Sequence, residues 1–312
     1  MLNVQRLRML REVASRGTIA AAAEAFFMSP SAVSQQMAVL EREAGCELLQ
    51  RSGRGVKLTE AGRGLVANTE RILAEMERAE AELAAASQGV VGQITVSAFP
   101  TASKTILIPA LVQLEKEHPN LTIQMIDLEP EESLPALKAR DLDVALAYEW
   151  SVLPVLQDPG VSHELLLTEQ VLLELPRDHP LALRGGPVCL ADLEHEEWIV
   201  GRDSTSLLDL VTAAARQHGY VPRTKFHSMD FDVILTAVSA GLGVALGPGL
   251  ALLNPPAEVA LREIGDQRIT RSVWATIRRG SDTHPGVAML LAAVRESARA
   301  AADRLQSVVA TG

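Results

Sequence analysis

Residues 29–41, "SPSAVSQQMAVLE", have the spacing of a helix that packs on one side only. Ser29 suits an N-cap, and Pro30 suits the first helical position, where its missing N–H costs nothing. Ala32, Val33, Met37 and Leu40 then share an apolar face. Ser31, Ser34, Gln35 and Ala38 lie on the other side. Ser and Gln near a helix N-terminus can hydrogen-bond base edges in a DNA major groove, and Pro or Ala can touch thymine methyls.

Working outward, Leu7, Leu10, Val13 and Ala14 repeat at helical spacing, and Gly17 is a plausible stop. Thr18 can cap a second helix through Ala20, Ala23 and Phe27. Two helices joined by a short turn make a helix-turn-helix pattern, although a small three-helix bundle with a polar solvent face has the same spacing. Downstream, Gly45 ends the helix. Residues 48–59 read as a two-stranded ribbon with a Ser-Gly turn, carrying Arg51, Arg54 and Lys57. A basic wing beside a reading helix supplies phosphate contacts, which position without reading sequence.

Here the chain resembles the LysR-type transcriptional regulators. The matching stretches are "GTIAAAAEAF" (17–26), "SPSAVSQQMAVLE" (29–41), "GCELLQR" (45–51) and "LTEAG" (58–62), in order. Ile19 and Leu49 stand where the family often has Phe. Pro30 and Gln35 stand where it often has Gln and Arg, which implies an operator preference of its own with fewer charge-assisted contacts. Ser31, Ser34 and Gln35 are expected at bases, with Thr18, Ser29 and Pro30 beside them. Arg51, Arg54 and Lys57 are expected at phosphates.

Charge distribution agrees with a DNA-facing head. Residues 1–60 hold eight Lys and Arg against six Asp and Glu, a net +2, while the rest hold 21 against 33, a net −12. The 312 residues are too many for one small core and suggest two or three units. No apolar run approaches a membrane span, and the start has no signal-peptide core, so a cytoplasmic protein is expected. Cys46 and Cys189 form no CxxC pair and are expected to be buried, reduced thiols.

Thr59 can cap a long helix reaching Ser87. Leu65, Ile72, Met76, Ala79 and Leu83 form a heptad-like seam along it. Pairing with a second chain is expected, with packing against the C-terminal body as the alternative. In the resembled family this helix dimerises the heads, which implies an inverted-repeat operator, a dimer or tetramer, and RNA polymerase as a further partner. The expected division is a winged helix-turn-helix over 1–58, a linker helix over 59–88, a hinge over 89–92 and an effector domain over 93–312. Lobe I of that domain takes 93–163 and 268–312, and lobe II takes 164–267.

After Gly92 strands alternate with helices, which indicates an α/β body with a mainly parallel sheet. Two similar lobes with the chain crossing between them resemble the LysR-type effector domain, itself like periplasmic solute-binding proteins, and "HPLA" (179–182) and "AGLGVALGP" (240–248) support this. Ligands in such lobes sit at strand carboxyl ends. Pro100, Thr101 and Ser103 follow one strand, Arg202, Ser204 and Thr205 another, and Asp230 a third; Tyr148 ends a fourth. Free N–H groups at helix starts suit a small-molecule effector bearing a carboxylate. The Ser and Thr residues serve equally well as plain caps.

Enzymatic chemistry has no motif here. "GLGVALGPG" (241–249) lacks the strand-before, helix-after context of a dinucleotide fingerprint. "EHEEW" (194–198) lacks the second His of a zinc helix, and no G-x-S-x-G or Walker lysine occurs. The acidic run Glu129–Glu132 reads as a solvated helix start. No enzyme, cofactor or metal is expected. The rival reading is a two-lobed binding protein or enzyme with no regulatory role at DNA.

Overall fold

The computed structural model describes residues 1–53, 55–86, 92–154 and 158–311. It divides into two compact units: residues 1–86 with 158–162 and 278–284, and the remainder. Arg54, the last two residues of the expected linker helix, 87–88, and the first three of the expected hinge, 89–91, lie outside the described residues.

The first unit begins with α1 (Val4–Arg16), capped by the Asn3 side chain and closed by Gly17 at φ +71°. Next come α2 (Ile19–Ala25), capped by Thr18, and α3 (Pro30–Ala44), capped by Ser29. α2 stops short of the expected Phe27 because Phe27 itself turns into the left-handed region. Leu7, Leu10, Val13, Ala22, Ala23, Val33, Met37, Leu40 and Leu48 form one buried core. β1 (Leu49–Ser52) and β2 (Gly55–Leu58) pair antiparallel. The Glu41 carboxylate accepts from the N–H groups of Leu48 and Leu49 and ties this ribbon to α3.

α4 (Glu60–Ala86) starts on Thr59, whose hydroxyl accepts from Gly62 N–H at 3.0 Å. Gly62 lies so close to the Leu48 carbonyl that a Cβ would strike it. One face of α4 buries Leu73, Ala74, Glu77 and Ala81 within this unit. Arg278 Nε donates to Glu77 Oε1 at 3.0 Å there. Of the residues of the expected seam, Leu65 is half-buried and packs on the head core. Ile72 and Leu83 stay exposed and Met76 is half-buried.

In the second unit β3 (Gly92–Ala98) leads into α5 (Pro100–Ala102), a π turn over Ser103–Leu107 and α6 (Ile108–Glu117). Helix thus begins at Pro100, two residues after the end of β3. The widened turn precedes Pro109, which has no N–H to offer the turn before it. β4 (Leu121–Asp127), α7 (Pro130–Ala139) and β5 (Val144–Trp150) complete the first βαβ set. β6 (Val161–Pro176) is a 16-residue strand. Then follow α8 (Pro180–Arg184), β7 (Glu197–Val200), α9 (Ser206–Gln217), β8 (Arg223–His227), α10 (Phe231–Ser239), β9 (Ala245–Pro248), β10 (Val259–Arg262), β11 (Thr270–Arg278) and α11 (Pro285–Thr311).

The main sheet runs β10-β6-β11-β5-β3-β4, with β9 also on β6. It is mixed rather than mainly parallel. β3 pairs parallel with β4 and β5, and β7 with β8. β11 on β5, β10 on β6 and β9 on β6 are antiparallel. The cause is the double crossing: β6 leaves the first lobe, and β11 returns to it, so later strands meet earlier ones in opposite directions. A single apolar core spans both lobes. Both cysteines are free and exposed, not buried as expected.

Candidate functional site

The head presents its polar face as a consequence of capping. Ser29 Oγ accepts from Ala32 N–H and lies 2.9 Å from Ser31 Oγ. Pro30, Ser31, Ser34 and Gln35 are all exposed, while Val33 and Met37 are buried beneath them. Gln36 is drawn aside, its Oε1 accepting from Arg6 Nε at 2.9 Å. Thr18 is half-buried, with its hydroxyl occupied by Ala21 N–H.

The wing register separates its basic residues. Gln50 opposes Lys57, and Arg51 opposes Val56. Opposed residues share a face, and successive residues alternate. Lys57 therefore shares its face with Gln50, which sequence reading passed over. Arg51 stands on the face of Leu49, Val56 and Leu58, which pack on the head core, yet its own side chain is exposed.

In the second unit a narrow cavity of about 10 Å³, the room of about one water molecule, is lined by Phe99, Pro100, Thr101, Glu129, Tyr148, Trp150, Leu207, Met229, Phe231 and Arg271. Arg271 is its buried base. Its Nε donates to Glu169 Oε1 at 2.7 Å and its Nη2 to Thr101 Oγ1 at 2.9 Å. Its guanidinium lies 4.8, 5.0 and 5.4 Å from the ring centres of Phe99, Tyr148 and Trp150. Such stacking favours a desolvated cation.

Glu129 faces this base. Its Oε2 accepts from the Tyr148 hydroxyl at 3.0 Å. Burial pushes the Glu129 carboxyl up to about 7, against the opposing pull of the Tyr148 hydrogen bond. Burial likewise raises the Tyr148 phenol, so it stays protonated. The Tyr148 hydroxyl also lies 3.2 Å from Ser206 Oγ, and Glu131 Oε1 accepts from Ser206 N–H at 3.1 Å. Two carboxyls of the "solvated" acidic run thus work at the crevice, one of them partly desolvated.

The expected effector residues divide. Pro100, Thr101 and Tyr148 line this cavity. Arg202 and Thr205 line a second, open one of about 410 Å³ with Asp203 and His227. Ser103, Ser204 and Asp230 line neither. Ser103 is buried and its hydroxyl donates to the Ala98 carbonyl. Ser204 is exposed at φ +63° in the turn before α9. Asp230 caps α10 by accepting from Asp232 N–H. Arg271, Glu129, Phe99 and Trp150 were missed. Only the β5–β11 register, which sets Arg271 opposite Trp150, brings the arginine here. Among the described residues, no helix is long and apolar enough to cross a membrane, and no group of three or more His, Cys, Asp or Glu could hold a metal.

A capped reading helix flanked by a β-ribbon, with a two-lobed body around a crevice, defines a class of regulator that joins DNA binding to small-molecule sensing. Residues 4–63 match the family of bacterial regulatory helix-turn-helix proteins of the lysR family, and residues 87–299 match the LysR substrate binding domain. The chain belongs to the LysR-type transcriptional regulators, with a helix-turn-helix DNA-binding domain and an effector-binding domain. It is 30% identical to the HTH-type transcriptional regulator CysB of Burkholderia cenocepacia, over 84% of this chain and 83% of that one. It is 27% identical to the transcriptional dual regulator GltC of Bacillus subtilis, over 79% and 81%. Full-length CbnR, solved in complex with its target DNA, is 26% identical over 95% of this chain and 100% of that chain, with a TM-score of 0.52.

Proposed function

We propose that the head reads an inverted-repeat operator through Ser31, Ser34 and Gln35, with Thr18, Ser29 and Pro30 framing them and Lys57, Arg51 and Arg54 at phosphates. Two copies pair along α4 through Ile72, Met76 and Leu83, as a dimer or a tetramer. The chain works in the cytoplasm, contacts RNA polymerase and catalyses no reaction. The body binds a small molecule bearing a carboxylate. The observation that carries the DNA reading is the row of exposed polar side chains on the first turns of α3, above a buried apolar face.

The carboxylate reading is supported at α9. Glu131 already sends a carboxylate to the Ser206 N–H at that helix start, the place an effector carboxylate would take. Displacing Glu131 breaks a bond across the crevice and favours a different lobe arrangement, which is the differential contact a population shift needs. Sequencing sheared genomic DNA retained by the protein at moderate salt tests the reading. Enrichment of interrupted inverted repeats supports it; weak binding without enrichment refutes it. Footprints and affinities identical with and without metabolite pools refute effector control.

A further inference from the structure

Phe27 joins two oddities. Its N–H donates to the Glu24 carbonyl, and the next N–H, of Met28, reaches back to the Ala23 carbonyl. That pair of bonds is a Schellman ending for α2, and Phe27 takes the left-handed position in it at φ +51°. The position favours Gly, then Asn, because a Cβ crowds the backbone there. Met28 supplies the apolar contact of the motif by packing on the head core. The Phe27 ring packs on nothing: the residue is 100% exposed. Neither the backbone nor the core accounts for an aromatic side chain here.

Its place does. Phe27 lies in the turn of the helix-turn-helix, two residues before the N-cap Ser29, beside the exposed Pro30 and Ser31. The other exposed large apolar residues among the described residues of this unit are Met1, Leu2, Ile72 and Leu83, and none of them belongs to the turn between α2 and α3. One aromatic ring is a small footprint for a protein partner. It is the right size for a thymine methyl and the deoxyribose beside it. We propose that Phe27 is a DNA contact, packing on the groove wall next to the first turn of α3 and favouring thymine at the flanking position. This rests on the reading of the head as the DNA-binding surface.

The test uses the full chain and duplexes it selects from a random pool. Phe27→Asn relieves the backbone and removes the ring. It melts at least as high as wild type, by roughly 2–4 °C more, and binds the selected duplex about tenfold more weakly. The slope of log affinity against log salt stays unchanged, because no charge is lost, whereas Lys57→Ala flattens it. Thymine preference at the flanking position fades. Phe27→Gly gives the same result by a second route. Wild-type affinity and selection in both variants overturn the proposal and leave the head's role intact. A lower oligomeric state with unchanged DNA affinity also overturns it and assigns the ring to a second copy. A wild-type chain that selects no duplex overturns the reading of the head, and Phe27 with it.

Discussion

Glu174 on β6 sits opposite Ala245 of β9 and Leu261 of β10, fully buried, and neither carboxyl oxygen has a hydrogen-bond partner. Gly247 leaves it room, since a Cβ there would strike the carboxyl. Burial pushes this carboxyl from 4.5 up to about 8. The folded body therefore holds a proton that the unfolded chain releases. The associated stability is complete below about pH 4.5 and is lost as pH rises through about 8. Each unit of pH within that window costs about 1.4 kcal/mol, so the loss from pH 5.5 to pH 8 is roughly 3 kcal/mol. That is a large part of the 5–15 kcal/mol, roughly, that holds a typical domain together.

Glu174→Gln has the same shape and no charge to gain. Urea unfolding followed by tryptophan fluorescence, at half-unit steps from pH 5.5 to 8, gives the difference between variant and wild type. Other titrating groups cancel in that difference. It widens in favour of Gln by roughly 3 kcal/mol across the range. A constant difference refutes the reasoning, because a carboxyl already ionised in the folded body contributes no slope.

Arg271→Met strands the buried Glu169 carboxylate and costs about 3–5 kcal/mol in urea unfolding, and adding Glu169→Met recovers most of it. Gly62→Ala forces α4 away from the Leu48 carbonyl and costs about 1–3 kcal/mol, read as a lower melting temperature. Glu129 gains charge as pH rises through about 7, so an anionic crevice ligand binds more weakly above that pH; calorimetry on Glu129→Gln finds the dependence removed. Leu83→Asp leaves the folded chain intact, since Leu83 is 73% exposed, and under the proposed pairing along α4 it lowers the sedimentation mass.

The head was legible because its signals are local. Ser29, Thr18 and Gly17 act on backbone within a few residues of themselves, and the apolar spacing of Leu7, Leu10, Val33, Met37 and Leu40 fixes which faces turn inward. The family stretches added order to that pattern. Phe27 escaped because an aromatic residue ordinarily extends a helical face, and its left-handed backbone was set by the need to turn α2 into α3.

In the body, strand and helix positions followed from periodicity, but direction did not. Alternation says that a strand is half-buried; it says nothing of which neighbour it meets. The crossings made by β6 and β11 decided the mixed sheet. The crevice was anticipated at strand ends, and Pro100, Thr101 and Tyr148 fell there. Its charged residues did not announce themselves. Arg271 and Glu169 are 102 residues apart, and Glu129 reads as an ordinary helix start until Tyr148 and the facing lobe desolvate it. Sequence alone determined the caps, the faces and the order of elements, because each depends on contacts along the chain. Tertiary structure decided which carboxyls lose their water and which arginine meets them, because desolvation and pairing belong to residues that only folding brings together.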